Sequence, residues 1–188
     1  MKIILGIAGE IASGKGTVAK YIKEEKSGSV HRFSTALRDV AKRMHLEESR
    51  ENLQKISTIF RENFNDDILS EVIYHDAKAD EHQIIIIDGV RRMADIAYLK
   101  NLVGFRLVYI EASMSKRYAR IIGRGENSDD ATKTFAEFEK DHAREAEKQI
   151  KDLKNQANFV VNNEGTFSEL YAQVDKIIKD LGEGKNEN

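Results

Sequence analysis

The chain has 188 residues, a net charge of −2, and neither proline nor cysteine. This length fits one domain with insertions, and the composition excludes a collagen-like chain, a proline-rich linker and a cysteine-built zinc or redox site. With 30 basic and 32 acidic residues, no overall basic field attracts nucleic acid or anionic lipid. Apolar runs such as Ile84–Ile87 are far shorter than the ~20 residues that span a bilayer. We therefore expect a globular protein of a reducing cytoplasmic compartment, without nucleic-acid or membrane partners, and its oligomeric state stays open.

Short apolar segments alternate with helical patterns along the whole chain. Strands are predicted at residues 3–7, 30–33, 84–87, 107–110 and 159–161. Helical patterns are predicted at residues 14–25, at 35–78 with breaks near 47–49 and 65–67, at 96–102 as a crossover helix, at 118–122, at 135–153 and at 167–181. This alternation predicts a three-layer α/β/α fold with a five-stranded, mainly parallel sheet.

The segment after the first strand matches a phosphate-binding loop. Residues 9–15 read Gly-Glu-Ile-Ala-Ser-Gly-Lys, the G-x-x-x-x-G-K pattern of P-loop NTPases, and they lie between a buried strand and a helix. Glycines let backbone N–H groups converge on phosphate oxygens, and the helix N-terminus adds its positive dipole end. Lys15 is expected to neutralise charge on the β- and γ-phosphates. The predicted ATP-binding residues in this segment are Gly9, Ala12, Ser13, Gly14, Lys15, Gly16 and Thr17.

A carboxylate at the end of the isoleucine strand is the candidate for the metal. The residue after Lys15 is Gly16, which lacks the hydroxyl that binds Mg²⁺ in the general motif. Asp88 is therefore expected to hold Mg²⁺ through water, or to accept the proton of an attacking group. The five histidines show no ligand spacing, and we assign no metal site to them.

Several segments resemble nucleoside monophosphate kinases, in family order. Gly-Lys-Gly-Thr at 14–17 is similar to the adenylate kinase variant of the loop, which implies that Thr17 reaches the α-phosphate. Ser-Thr-Ala-Leu-Arg at 34–38 resembles the start of the family's substrate-binding part, and Asp-Gly-Val-Arg-Arg at 88–92 resembles its Asp-Gly-x-x-Arg, whose arginine holds substrate phosphate. Arg-Ile-Ile-Gly-Arg at 120–124 resembles the lid entrance, where the first arginine packs on adenine and the second contacts phosphate.

Other segments are similar to neighbouring groups of the same superfamily. Asp129-Asp130, Phe138 and the Asn-Asn-Glu-Gly run at 162–165 look like archaeal-type predicted kinases related to dephospho-CoA kinase. Residues 61–67 resemble deoxynucleoside monophosphate kinases. The run at 162–165 either contacts the adenine edge or forms a turn.

Arginines outside the loop form two predicted groups. On the acceptor side, one of the adjacent arginines after the third strand is expected to clamp phosphate bidentately, and Arg91, which keeps the spacing of the dephospho-CoA-kinase-like group, is favoured over Arg92. Arg61 also has ordinary ion-pair partners nearby in the sequence. The predicted acceptor-binding residues are Ser34, Arg38, Arg61, Arg91 and Arg92.

On the donor side, Arg117, Arg120 and Arg124 have helical spacing i, i+3, i+7 and share one face. Arg120 and Arg124 are expected at the ATP phosphates, and Arg117 is the weaker candidate. The polar stretch at 124–133 fits a lid that excludes water. Beyond it the chain offers Lys133, Lys140 and Arg144, so either Lys140 and Arg144 complete the lid or this arm is catalytically minor.

These observations predict an ATP- and Mg²⁺-dependent kinase acting on a small phosphate-bearing acceptor, a nucleoside or deoxynucleoside monophosphate. The predicted core is 1–34, 81–112 and 155–181, with a helical substrate-binding insertion at 35–80 and a lid at 113–154. The predicted catalytic residues are Lys15, Asp88, Arg91 and Arg124. Two alternatives remain. One is a dephospho-CoA kinase, whose acceptor is a ribose hydroxyl that needs a carboxylate base such as Asp39 or Asp88. The other is a nucleotide-dependent switch or accessory NTPase.

Overall fold

One parallel sheet organises the molecule, whose computed structural model describes residues 2–124, 134–142 and 145–184. Its strands are β1 (Ile3–Ala8), β2 (Ser29–Arg32), β3 (Ile84–Val90), β4 (Phe105–Glu111) and β5 (Phe159–Asn162). All neighbouring strands pair in parallel, in the order β2-β3-β1-β4-β5. The predicted fold class is confirmed.

Helices cover both faces of this sheet. They are α1 (Lys15–Glu25), α2 (Phe33–Arg43), α3 (Arg50–Asn63), α4 (Ile68–Ala79), α5 (Met114–Arg124), α6 (Phe135–His142), α7 (Glu145–Lys154) and α8 (Phe167–Gly182). The predicted breaks in the long helical region are confirmed, because α2, α3 and α4 are separate helices. The single helix predicted at 135–153 is wrong in extent, since α6 and α7 occupy that segment as two helices.

The segment between β3 and β4 differs from its prediction. Instead of an α-helix it contains two 3₁₀ turns, Met93–Ile96 and Leu99–Asn101. The apolar residues that suggested a helix recur at every third position (Ile96, Leu99, Leu102). That spacing matches the three residues per turn of a 3₁₀ helix, which occurs in short pieces.

The core has two halves, one on each face of the sheet. Along β3, Ile85 and Ile87 pack in one half with residues of α2, α3, α4 and α7, whereas Ile86 packs in the other with residues of α1 and α8. This alternation follows from the two-residue period of a strand. All three side chains are fully buried, as expected for a parallel sheet covered on both faces. The loops that leave the carboxyl ends of the strands therefore share one edge, where open α/β sheets bind ligands.

Candidate nucleotide site

The loop between β1 and α1 is shaped by residues with positive φ. Gly9 has φ 146°, Ala12 has φ 59° and Gly14 has φ 109°. A Cβ at Gly9 would collide with the carbonyl oxygen of Ile110, and one at Gly14 with the side-chain amide of Asn163. The left-handed conformation of Ala12 is costly for a residue that has a Cβ. Left-handed residues within such a turn aim successive N–H groups into one concavity, which is the geometry that binds anions.

The start of α1 adds to this concavity. Gly14 is its N-cap, and within the described residues no side chain caps the first turn, which also contains no acid. N–H groups of a first helical turn have no intrahelical acceptor, and the dipole there favours a negative charge. A Cβ placed on Gly16 would meet nothing within 4 Å, so there is space in front of the turn. The loop therefore fits nucleotide phosphates.

Lys15 lies over the loop that it follows. Its Nζ donates hydrogen bonds to the carbonyl oxygens of Gly9 (2.6 Å) and Glu10 (2.8 Å). The ammonium group is thus held at the mouth of the concavity, where a point charge neutralises phosphate oxygens.

Asn163 and Arg120 support the loop from the side of β5. The buried Asn163 donates from Nδ2 to the carbonyl oxygen of Ser13 (2.8 Å), and its backbone N–H donates to Glu111 O (2.8 Å). Arg120 donates to Asn163 O (2.8 Å) and to Ser13 O (3.4 Å). The segment 162–165 therefore does more than turn the chain, since its Asn163 side chain binds the phosphate loop. Arg120 therefore lies beside the loop, and its expected contacts with adenine and with the ATP phosphates stay predictions.

Arg117 corrects the predicted arginine face. It is only 2% exposed, and its guanidinium pairs with the Glu10 carboxylate (3.2 Å) and donates to Ala112 O (3.1 Å) and Ile11 O (3.3 Å). The guanidinium carbon also lies 5.7 Å from the ring centroid of Phe138. Because these groups already occupy the guanidinium, Arg117 braces the loop against α6. The prediction that Arg117 binds phosphate is therefore wrong.

The lid residues are described only in part. Arg124 ends α5, but its side chain, and the whole of residues 125–133 and Arg144, lie outside the described part of the chain. Lys140 is exposed on α6. The roles of Arg124, Lys140 and Arg144 stay predictions.

Asp88 lies at an irregularity near the end of β3. The β1–β3 register runs from Ile7 opposite Asp88 to Ala8 opposite Val90, and the skipped residue is Gly89, whose φ is +94°. Glycine adopts this conformation without strain, and such a bulge re-aims neighbouring side chains. Asp88 Oδ2 forms an ion pair with Arg32 Nε at 3.0 Å.

The donor set at Asp88 fits an ion held mainly by substrate. Within residues 2–124, 134–142 and 145–184, no three histidine or acidic side chains form a metal cluster. Mg²⁺ commonly binds through one or two carboxylates, water and substrate phosphates, and Asp88 supplies the carboxylate type of ligand that this arrangement needs. Held there, Mg²⁺ would neutralise charge on the phosphates.

A buried carboxylate, Asp95, organises the loop after β3. Its Oδ2 accepts hydrogen bonds from the backbone N–H groups of Arg91 (2.9 Å) and Arg92 (3.1 Å), and its Oδ1 pairs with Arg61 (3.3 Å) and Arg92 (3.5 Å). Burial raises the pKa of Asp95, and the two backbone hydrogen bonds and the Arg92 charge act against that rise. Arg92 also pairs with Asp66 (3.1 Å). Two of the four predicted acceptor arginines, Arg61 and Arg92, are therefore already engaged.

Arg91 is the exception in this group. Its side chain is exposed, and within the described chain its guanidinium has neither an ion pair nor a hydrogen bond. Arg38, on α2, makes contacts of 3.4 Å with Glu48 and no shorter polar contact with another described residue. Ser34 lies in the first turn of the same helix. Among the predicted acceptor arginines, Arg91 and Arg38 are therefore the two that could bind a ligand with the least loss of contacts to other residues.

Three polar residues at the carboxyl edge of the sheet were not identified from the sequence: Glu10, Arg32 and Asp95. Asp95 follows Arg92 by three residues, the spacing at which an acid reaches back to backbone N–H groups, so a local signal exists. Glu10 and Arg32 bind partners on distant segments, and nothing local in the sequence marks them.

The sheet order, the shaped loop and Lys15 at the start of α1 define a kinase-like P-loop NTPase fold. A family model described as AAA domain (AAA_18) matches residues 5–152, and the chain belongs to that family. Among the helices of the described ranges, none has the length and apolar character needed to cross a membrane.

Relatives by sequence match nearly the full length of this chain. A UPF0200 protein of Hyperthermus butylicus is 26% identical over 184 residues and covers 97% of each chain. A UPF0200 protein of Methanoregula boonei is 28% identical over 179 residues, which cover 95% of this chain and 97% of that protein. A UPF0200/UPF0201 protein of Archaeoglobus fulgidus is 28% identical, and the match covers 96% of this chain but 56% of that protein.

Solved structures share the fold at low sequence identity. TT1252 from Thermus thermophilus aligns with a TM-score of 0.64 and 15% identity, covering 96% of this chain and 98% of that one. Shikimate kinase from Bacteroides thetaiotaomicron aligns with a TM-score of 0.53 and 12% identity over the same shares of the two chains. These similarities establish the architecture.

Proposed function

We propose that this protein is an ATP-dependent phosphotransferase that moves the γ-phosphate of Mg-ATP to a nucleoside or deoxynucleoside monophosphate. The observation that carries the proposal is the exposed guanidinium of Arg91 at the carboxyl end of β3, which no other residue of the described chain engages. In the sheet order, β3 and β4 flank β1, so Arg91 after β3 and Arg120 after β4 lie on opposite sides of the phosphate loop. A donor and an acceptor need this two-sided distribution of positive charge.

The donor side is the loop itself. Phosphates of ATP would occupy the concavity of residues 9–17, and Lys15 would neutralise the β- and γ-phosphates. Arg120 is positioned by Ser13 and Asn163, and Arg124 would approach from the end of α5. The lid at 113–154 would exclude water, which would otherwise compete with the acceptor.

The acceptor side is the edge beyond β3 and β2. Arg91 and Arg38 would bind the acceptor phosphate, and the insertion at 35–80, formed by α2, α3 and α4, would cover the rest of the molecule. A phosphate monoester is largely a dianion at neutral pH, so its oxygen attacks the γ-phosphorus without loss of a proton. The new P–O bond forms as the bond to the β–γ bridging oxygen breaks, and that electron pair leaves with ADP. Such a reaction asks mainly for positioning and positive charge.

A coupled ADP-release assay with Mg-ATP tests the proposal. The acceptor panel contains the common ribo- and deoxyribonucleoside monophosphates, dephospho-CoA and a no-acceptor control. We expect stimulation by a group of monophosphates that share a base. Stimulation by dephospho-CoA alone would replace the proposal with a hydroxyl-directed kinase, and ADP release that no acceptor alters would indicate a switch or accessory NTPase.

A further inference from the structure

Arg32 is a positively charged residue on the acceptor side of the sheet, beside β2 and β3, and it belongs to none of the sequence motifs. It is the last residue of β2 and lies opposite Asp88 in the parallel register of β2 and β3. Its Nε is 3.0 Å from Asp88 Oδ2, and its side chain is 55% exposed. Within the described chain no other group pairs with this guanidinium, so its two terminal nitrogens have no partner there.

The surroundings of Arg32 favour an anion. Arg32 is the N-cap residue of α2, and among the described residues no side chain caps that helix and no acid lies in its first turn. The positive end of the dipole is therefore not neutralised locally. Arg38 is on the same helix, and Arg91 follows the neighbouring strand β3. Other arginines near this edge are already engaged, Arg61 and Arg92 by Asp95 and Asp66.

We propose that Arg32 is a specificity-determining residue that grips the acceptor phosphate through its terminal nitrogens while Asp88 holds its Nε. An arginine fixed at Nε presents its other donors in the planar fork that fits a phosphate bidentately. This inference rests on the proposed function and deepens it, because it assigns a residue that selects a phosphate over a hydroxyl.

The same contact disfavours hydroxyl acceptors. A hydroxyl nucleophile must transfer its proton to a base within hydrogen-bond reach, and Asp88 Oδ2 is already bound to the Arg32 guanidinium. A hydroxyl acceptor would have to displace Arg32 to use that oxygen. A phosphate dianion needs no base, and it gains the charge of Arg32 instead.

Steady-state kinetics of Arg32→Ala and Arg32→Lys test this role, with the monophosphate that stimulates the wild-type protein best. Arg43→Ala is the matched control, since Arg43 is an exposed arginine at the far end of α2, the helix that follows Arg32. We expect Arg32→Ala to raise the acceptor KM about 10- to 100-fold, because one charge-assisted contact is lost. The ATP KM and the acceptor-independent rate of ADP release should stay within about twofold of the wild-type values. Arg32→Lys should restore part of the loss, because lysine keeps the charge without the fork.

Isothermal titration with the same monophosphate in the absence of ATP supplies a readout independent of turnover. We expect weakened binding in Arg32→Ala and unchanged binding in Arg43→Ala. An acceptor KM and affinity equal to wild type in Arg32→Ala would overturn the role of Arg32 and leave the proposed function standing, as would an equal loss of ATP binding, which marks a structural effect. A wild-type protein that neither binds nor phosphorylates any monophosphate would overturn both.

Discussion

Asn163 is tied to Ser13 by a 2.8 Å hydrogen bond from Nδ2 to the backbone carbonyl oxygen. The bond joins the loop after β5 to the phosphate loop after β1, two segments separated in the sheet by β4. Gly14 must remain glycine in part because a Cβ there would strike the same Asn163 amide. The shape of the phosphate loop therefore depends on a residue near the other end of the sequence.

Replacing Asn163 with alanine should loosen the phosphate loop. The change leaves the carbonyl of Ser13 buried without this donor, which costs about 1–3 kcal/mol of unfolding free energy, and ATP should bind more weakly. Urea denaturation and nucleotide titration measure the two effects. Asn155→Ala, at an exposed position after α7, serves as control. Wild-type ATP affinity in Asn163→Ala would contradict the coupling of the two loops.

Lys15→Ala should abolish phosphoryl transfer and leave folding almost intact. The Lys15 ammonium contacts the carbonyl oxygens of Gly9 and Glu10, and such peripheral contacts add little to the stability of the fold. A positive charge beside the transferred phosphate, in contrast, is central to catalysis. The ADP-release rate should fall by orders of magnitude, with a melting temperature within a few degrees of wild type. Lys20→Ala, which changes an exposed lysine of the same helix, should behave as wild type. A fully active Lys15→Ala protein would refute the site.

Mutation of Arg91 and mutation of Arg92 should affect different properties, the first acceptor binding and the second stability. Arg91→Ala removes a guanidinium that no other described residue contacts, so it should raise the acceptor KM about 10- to 100-fold without loss of stability. Arg92→Ala breaks contacts with Asp66 and the buried Asp95, so its main effect should be a stability loss of about 1–3 kcal/mol. Parallel kinetics and urea denaturation distinguish the two. The reverse pattern would move acceptor binding to Arg92.

Local sequence information was enough for the strands and the phosphate loop. The run Ile84–Ile87 is a buried strand because four β-branched residues in succession fit both faces of a covered parallel sheet. The loop is predictable because its glycines, lysine and helix start are contiguous. Each feature depends on neighbours along the chain, which a sequence displays directly.

The roles of the arginines were not predictable in the same way. Helical spacing places Arg117 and Arg120 on one face, yet Arg117 is buried against Glu10 and Arg120 holds Asn163. Which arginine is neutralised depends on acids brought close by tertiary packing, such as Asp95 beside Arg61. A sequence shows where the charges are but not which of them are already paired.

Arg117→Met tests its structural role. Breaking a buried ion pair by removing one partner typically costs about 3–5 kcal/mol, and the contact with the Phe138 ring is weakened as well. Urea denaturation should show a loss of that order, with the double variant Glu10→Gln/Arg117→Met less destabilised than the sum of the single changes. Lys116→Met, on the exposed side of α5, is the control. A stable Arg117→Met protein with poor ATP binding would restore Arg117 as a phosphate ligand.

Asp80 should make stability depend on pH at the amino ends of the strands, away from the nucleotide site. Its carboxylate contacts His31 Nε2 (2.7 Å), His82 Nδ1 (2.6 Å) and the His82 backbone N–H (2.9 Å). Burial by itself raises the pKa of Asp80, but the hydrogen bonds outweigh burial and hold that pKa well below its usual range.

The sign of the effect follows from this lowered pKa. In the unfolded chain Asp80 titrates near pH ~3.9, whereas the folded protein keeps it charged to lower pH, so its contribution is complete above that value and declines as the pH falls toward the folded pKa. Asp80→Asn cannot titrate. The difference in unfolding free energy between wild type and Asp80→Asn, measured in urea, should therefore shrink from about pH 5 to about pH 3. Asp76→Asn, an exposed change on α4, is the control. A difference that stays constant or grows on acidification would show that Asp80 is not held ionised by its neighbours.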